Sequence, residues 1–292
     1  MQRHLSRSTI FGLATMWFVG GGIYPFLSHA AETIDPIGIV FIRAWGAALI
    51  LFLAVLAINP KSLRVLRFDK TLIPIVISSL MYSPLCSISL AWSSSRVPGA
   101  ITALIYSTLP VMSIIYLAIK GEKPSKLATS GVLVATIAVA FLIGAPQGTV
   151  QIAGIIGALV STFAWFAATE IWIKYESGYP LILAIFLQVF IGAIGTTFIY
   201  LISNTPRVTS ENILNPSMIF LVLALASQYW AYLGISRRVS PALLTSFAFV
   251  NPLVAGVIGF FAFDQNLGRV QLIAGAILLV GIYLVVKSET RR

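Results

Sequence analysis

Apolar runs of about 20 residues alternate with short polar breaks along the chain. A helix needs about 20 predominantly apolar residues to cross the hydrocarbon core of a bilayer. Cutting the runs at Pro, Gly, Asn and charge clusters predicts ten spans, at 9–30, 35–58, 71–92, 96–118, 125–144, 150–174, 179–203, 215–235, 239–262 and 268–287. The third and fourth spans, and the eighth and ninth, are so closely joined that each pair is expected to be antiparallel neighbours. A blurred repeat accompanies this pattern. Ser94–Glu122 aligns with Ser236–Asp264 at a constant shift of 142, pairing Arg96 with Arg238, Val97 with Val239, Ala100 with Ala242, Pro110 with Pro252 and Glu122 with Asp264.

Ten spans divide into two halves of five, residues 1–146 and 147–292, with the loop Ala145–Gln151 as the hinge. An odd number of spans per half turns the second half upside down relative to the first. Inverted repeats of this kind place a substrate site near the midplane between the halves, in carriers that work by alternating access.

Composition agrees with a lipid solvent. The chain is 58% hydrophobic and 10% charged, against about a quarter charged in soluble domains. The expected fold class is an all-α integral membrane protein, whose helices satisfy their own backbone hydrogen bonds. Charge sets the orientation. Fifteen of the 19 Lys and Arg residues fall on the side of the N-terminus, and three (Arg96, Arg207, Arg269) fall on the other. This bias predicts both termini in the cytoplasm. The net charge of +10 lies in short loops and not on one face, so no nucleic-acid partner is expected. Met1–Ala30 reads as a retained first helix and not a cleaved signal. Cys86, the one cysteine, lacks any metal spacing in SPLCSIS and reads as a packing residue.

No GxxxxGK[ST], HExxH or GxSxG motif occurs. His4 and His29 lie at or near span ends. The chain is therefore expected to be no enzyme, with no cofactor and no metal. All nine acids fall in loops or near span ends, which disfavours proton coupling through a deep carboxylate and leaves facilitated diffusion and proton exchange both open. Arg43 lies about eight residues into the second span. It either snorkels or bonds helix-end carbonyls, or it contacts an anion such as a substrate carboxylate. Pro110 and Pro252 are expected to kink their spans, freeing the carbonyls of Tyr106 and Ala248, with Thr108 and Asn251 nearby to satisfy them. These kinks either fit bent helices to their neighbours or open a polar cavity. Gly20, Gly21, Gly22 and Pro25 form either a gate or a close helix contact.

Polar and aromatic residues concentrate on particular spans. Trp17, Tyr82, Tyr106 and Trp165 are candidate walls of an uncharged site. Ser78, Gln228, Tyr232 and Asn251 are candidate polar contacts. Each also has a plainer reading as helix packing.

With these features the chain resembles the drug/metabolite transporter superfamily, and specifically its EamA family. The resemblance rests on Pro110 followed by GEKPSKLATSG, on SPALLTSFAFVNP ending at Pro252, and on a tryptophan in the first span of each half. Glu122 matches the acid that usually closes the fourth span, whereas Asp264 or Gln265 departs from it. Trp17 in GLATMW and Tyr82 ahead of SISLAW look most like the YddG aromatic amino-acid exporters. The resemblance implies a central cavity lined by spans 1, 3, 4, 6, 8 and 9. It also implies export of aromatic or other neutral amino acids and related metabolites across a bacterial inner membrane, the partners being the substrate and the bilayer and the protein possibly a monomer. A broader drug/metabolite carrier of the same fold, or a channel, is the alternative.

Overall fold

The computed structural model describes residues 6–67, 69–94, 96, 102, 105–143, 151–175, 177–262 and 269–290. Expectations at Arg3, His4, Val97, Ala100, residues 145–150 of the hinge, Asp264, Gln265, Arg291 and Arg292 lie outside them.

Among the described residues all regular structure is helical. In chain order the helices are α1 (Arg7–Ala31), α2 (Pro36–Ile58), α3 (Ile73–Leu80), a π-helical segment (Met81–Ser87), α4 (Ile88–Ser94), α5 (Leu109–Ile119), α6 (Lys126–Ile143), α7 (Ile152–Lys174), α8 (Leu181–Ile202), the short α9 (Ser210–Leu214), α10 (Pro216–Ile235), the one-turn α11 (Pro241–Leu244), α12 (Phe247–Ala262) and α13 (Arg269–Thr290). Two 3-10 segments, Pro60–Val65 and Lys70–Leu72, fill the loop between α2 and α3. Among the described residues seven helical runs are long and apolar enough to cross a membrane, and Leu109–Ile119, Lys126–Phe141 and Ile273–Ser288 are shorter apolar helices. Large apolar side chains cover the outside, including Phe11 at 74% and Ile202 at 83% exposure. Such a surface suits lipid and not water, and the chain is a multi-pass membrane protein.

Helix starts follow from local chemistry. The first N–H groups of a helix have no internal acceptor, so a short polar side chain just before it is favoured, and proline is tolerated at the first position. Asp35 accepts from Ile37 N at 2.9 Å ahead of Pro36. Asn215 accepts from Ser217 N at 2.9 Å ahead of Pro216. Ser240 accepts from Leu243 N at 3.3 Å ahead of Pro241. In the loop before α3, Asp69 accepts from the Thr71 hydroxyl and backbone N–H, which holds its carboxyl below the usual range.

Helices far apart in sequence pair with one another. α1 packs on α10, α7 on α3, the π segment and α4, α2 on α8, and α6 on α13. The last contact is backbone to backbone. A Cβ added at Gly281 would stand 2.7 Å from Ala135 N and 2.8 Å from Gly131 O. The ends of the bundle are tied by loop contacts. At one end the Tyr179 hydroxyl donates to Arg67 O at 2.7 Å, Arg237 Nη2 donates to Trp172 O at 2.6 Å, and Lys120 Nζ lies 3.8 Å from Glu170. At the other, the Thr205 hydroxyl lies 3.4 Å from Asp35 Oδ1, and Gln151 N donates to Arg96 O at 3.3 Å.

The described helices lie within a few residues of the expected spans except in the fourth, where residues 97–101, 103 and 104 lie outside the described ones and α5 begins at Leu109, and three spans are interrupted. The third changes to π geometry at Met81–Ser87, around Pro84, which has no N–H to give the preceding turn. In the fourth, Pro110 is in the first turn of α5 and not mid-helix, because the chain turns at Ser107–Thr108 and the helix begins at Leu109. Thr108 donates to Ile105 O at 2.6 Å, and so does not satisfy Tyr106 as expected. In the ninth, the chain turns at Thr245–Ser246, and Pro252 sits inside α12.

Candidate functional site

Interrupted and continuous spans together deliver side chains to a small cavity of about 60 Å³ inside the bundle. α1 contributes Gly20, Ile23 and Tyr24, and α2 contributes Arg43. The third span contributes Cys86, Ser87 and Leu90. Tyr106, and Trp165 of α7, add aromatic faces. α10 adds Leu225, Gln228 and Tyr229, and α12 adds Phe247 and Asn251. At roughly 15 Å³ per water, this volume holds about four waters, less than an amino-acid side chain requires.

Trp165 organises the aromatic wall. Its ring lies 4.9 Å from Tyr82, 5.2 Å from Tyr232 and 6.0 Å from Phe247, centroid to centroid. The Thr169 hydroxyl, one turn on, bonds the Tyr82 hydroxyl at 2.7 Å and the Tyr232 hydroxyl at 2.9 Å. Both tyrosines are thereby fixed behind the tryptophan. A second set surrounds Tyr106, whose hydroxyl bonds that of Ser161 and lies 3.4 Å from Cys86 Sγ, while Ser161 Oγ donates to Cys86 O at 2.7 Å.

The polar part of the lining is incompletely paired. Arg43 is buried, its Nε has no hydrogen-bond partner, and it forms no ion pair among the described residues. Among the described residues no acid lines the cavity. Beside it, a crevice of about 10 Å³ reaches Ser83 and Ser87. Asn251 Oδ1 is likewise buried without a donor. A buried guanidinium that lacks a counter-charge costs several kcal/mol (~3–5 where a partner has been removed), and an unsatisfied amide oxygen costs about 1–3 kcal/mol. Gly20 makes room for the Gln228 and Asn251 amides. A Cβ there would stand 2.6 Å from Gln228 Nε2, 3.0 Å from Asn251 Oδ1 and 3.1 Å from Asn251 Nδ2.

Four of the residues expected from sequence, Tyr106, Trp165, Gln228 and Asn251, meet in this lining. Tyr82 and Tyr232 stand directly behind Trp165. Trp17 is placed differently: its Nε1 donates to Ser246 Oγ at 3.2 Å, bracing the turn between α11 and α12. Ser78 does not line the cavity. It is fully buried and donates to Gln188 Oε1 at 2.9 Å, in the contact between α3 and α8. Sequence reasoning passed over Tyr24, Tyr229, Phe247 and the lining role of Cys86. Pro84 was the available signal for the last, since the π segment begins at Met81 and turns Cys86 inward.

The fold and lining define a helical membrane protein with a partly polar interior cavity. Residues 7–144 match the sequence model of the EamA-like transporter family. A stretch of 55 residues, 19% of the chain, is 38% identical to proteins named "Uncharacterized inner membrane transporter YedA" from Escherichia coli strain K12 and from Escherichia coli O157:H7. The chain spans 18% of the length of those relatives in this match. A solved structure titled "Crystal structure of protein" superposes with a TM-score of 0.79, covering 98% of this chain and 99% of the other at 14% identity, and shares the fold.

Proposed function

We propose that this protein is a secondary carrier that exports neutral, chiefly aromatic, amino acids and related small metabolites across a bacterial inner membrane. One observation carries the reading. An unpaired buried donor, Arg43 Nε, and an unpaired buried acceptor, Asn251 Oδ1, line the same aromatic-walled cavity. An α-amino acid brings a carboxylate for the first, an ammonium for the second and a side chain for the Trp165 and Phe247 faces. The match of residues 7–144 to EamA-like transporters supports the transport class.

In this reading the seven long and three short apolar helices are ten spans, with both termini cytoplasmic. The pairing of α1 with α10 and of α7 with the third span, together with α2 on α8 and α6 on α13, is what two inverted five-helix halves would give. It supports a division near residue 146. Each partner in these pairs comes from the opposite half, so rocking of one half against the other opens the cavity to alternate sides. The cavity of about 60 Å³ then belongs to a contracted state, and substrate enters when the halves part. Among the described residues no carboxylate lines it, which favours net flux down the substrate gradient over proton exchange.

Counterflow in proteoliposomes tests this. Vesicles preloaded with unlabelled phenylalanine should take up labelled phenylalanine, tryptophan and methionine, with threonine weaker, and an imposed pH gradient should leave the rate unchanged. Absence of exchange for every amino acid would overturn the substrate class, and a pH-driven gain would overturn the uncoupled mechanism.

A further inference from the structure

A larger apolar groove lies on the outside of the bundle, apart from the cavity. Its volume is about 850 Å³, and it runs between α1, α2 and α10 past Phe11, Thr15, Ile50, Phe220 and Trp230. It ends at Arg238, which also borders a second recess of about 390 Å³ containing Ser177, Tyr179 and Arg237. Leu181, Gly234 and Arg238 line both, so the two recesses are continuous. Among the described residues no acid lines either one.

The two arginines differ. Arg237 is held in place, donating through Nη2 to Trp172 O at 2.6 Å and to Tyr175 O at 3.0 Å. The exposed Arg238 side chain makes no hydrogen bond or ion pair among the described residues. From Phe220 to Gly234 the groove follows α10 for about 21 Å at 1.5 Å per residue, more than half of a hydrocarbon core of about 30 Å. At the junction, a Cβ added at Gly234 would meet nothing within 4 Å, so the helix leaves the passage open there.

We propose that this groove is a binding site for an anionic diacyl phospholipid, with an acyl chain along α1, α2 and α10 and the phosphate at Arg238, beside Arg237. The shape accepts any acyl chain, whereas the positive charge of Arg238, which has no partner among the described residues, selects a negative headgroup. The site is independent of the transport reading, because none of its lining residues lines the interior cavity.

Native mass spectrometry of the full chain in a neutral detergent, with equimolar phosphatidylglycerol and phosphatidylcholine of matched chains, is the test. Phosphatidylglycerol should be retained in preference. Arg238→Gln should lower that preference about fivefold, at one surface arginine's contribution. Gly234→Phe should lower retention of both lipids on the order of tenfold by displacing methylenes from the passage, and Gly234→Leu provides the milder block if the larger ring impairs folding. Equal retention of the two lipids, unchanged retention in the Arg238 and Gly234 variants, or displacement of phosphatidylglycerol by excess inorganic phosphate would each overturn the proposal. The last outcome would leave only an anion site.

Discussion

Gly20→Ala isolates the cavity from the fold. The new methyl would stand 2.6 Å from Gln228 Nε2 and 3.0 Å from Asn251 Oδ1. Comfortable contact begins near 3.5 Å, so the Gln228 amide must retreat by about 0.9 Å and the Asn251 oxygen by about 0.5 Å. Both atoms are side-chain ends that can rotate, so the backbone need not move. In the folded protein, crowding opposes a helix-propensity gain of roughly 0.8–1 kcal/mol for replacing an interior glycine. The two effects are of similar size, and the melting temperature should change by no more than a few degrees. Binding has no such offset. Misplacing an acceptor for a substrate ammonium removes a charge-assisted bond of about 1.5–3 kcal/mol, which is a rise in apparent KM of roughly 10- to 100-fold. Counterflow of labelled phenylalanine measures KM, and differential scanning fluorimetry measures stability. Gly38→Ala is the matched control, since its methyl would meet Ile34 and Val208 at an ordinary 3.6 Å; it should leave KM unchanged and, with no crowding to offset the propensity gain, leave stability unchanged or raise it by up to about 1 kcal/mol. Wild-type KM in Gly20→Ala, at unchanged stability, would refute the assignment of Gln228 and Asn251 to the substrate site.

Arg43→Gln should raise the apparent KM for phenylalanine about 10- to 100-fold by removing the carboxylate contact, yet leave inhibition by phenethylamine, which has no carboxylate, unchanged; equal losses for both compounds would refute the carboxylate role. The same substitution removes an uncompensated buried charge, so the melting temperature of the substrate-free protein should rise, and a large fall would mean that Arg43 is structural. Gly281→Ala should destabilise by about 1–3 kcal/mol, because its methyl meets the backbone at Ala135 and Gly131, and a thermal melt as stable as wild type would show that α6 and α13 approach less closely.

Much of the architecture was legible because bilayer thickness fixes the length of an apolar run. The starts at Pro36, Pro216 and Pro241 each follow a polar cap, and apart from the fourth the described helices fall close to the expected spans. Interruptions were harder to read. Pro110 and Pro252 were both expected to bend a helix, yet one begins α5 and the other lies within α12, since proline is compatible with a first turn as well as with a kink. The site was partly legible. Gln228 and Asn251 stood out because amides are costly to bury, and both line the cavity. Ser78 had no such distinction: a serine on an apolar helix satisfies itself on its own backbone, and it bonds Pro74 O at 2.8 Å as well as Gln188. Arg43 was visible as a charge in a span, but whether it snorkels or turns inward depends on tertiary packing. It turns inward.

Cys86, the one cysteine in the chain, lines the cavity and makes the wild-type protein its own probe. A small methanethiosulfonate reagent applied to inside-out and to right-side-out vesicles should modify Cys86 from both faces. Phenylalanine should slow the modification in proportion to its occupancy of the site, while phenethylamine protects less. Modification from one face alone, or at a rate that saturating phenylalanine does not change, would contradict a carrier that exposes this cavity alternately to the two sides of the membrane.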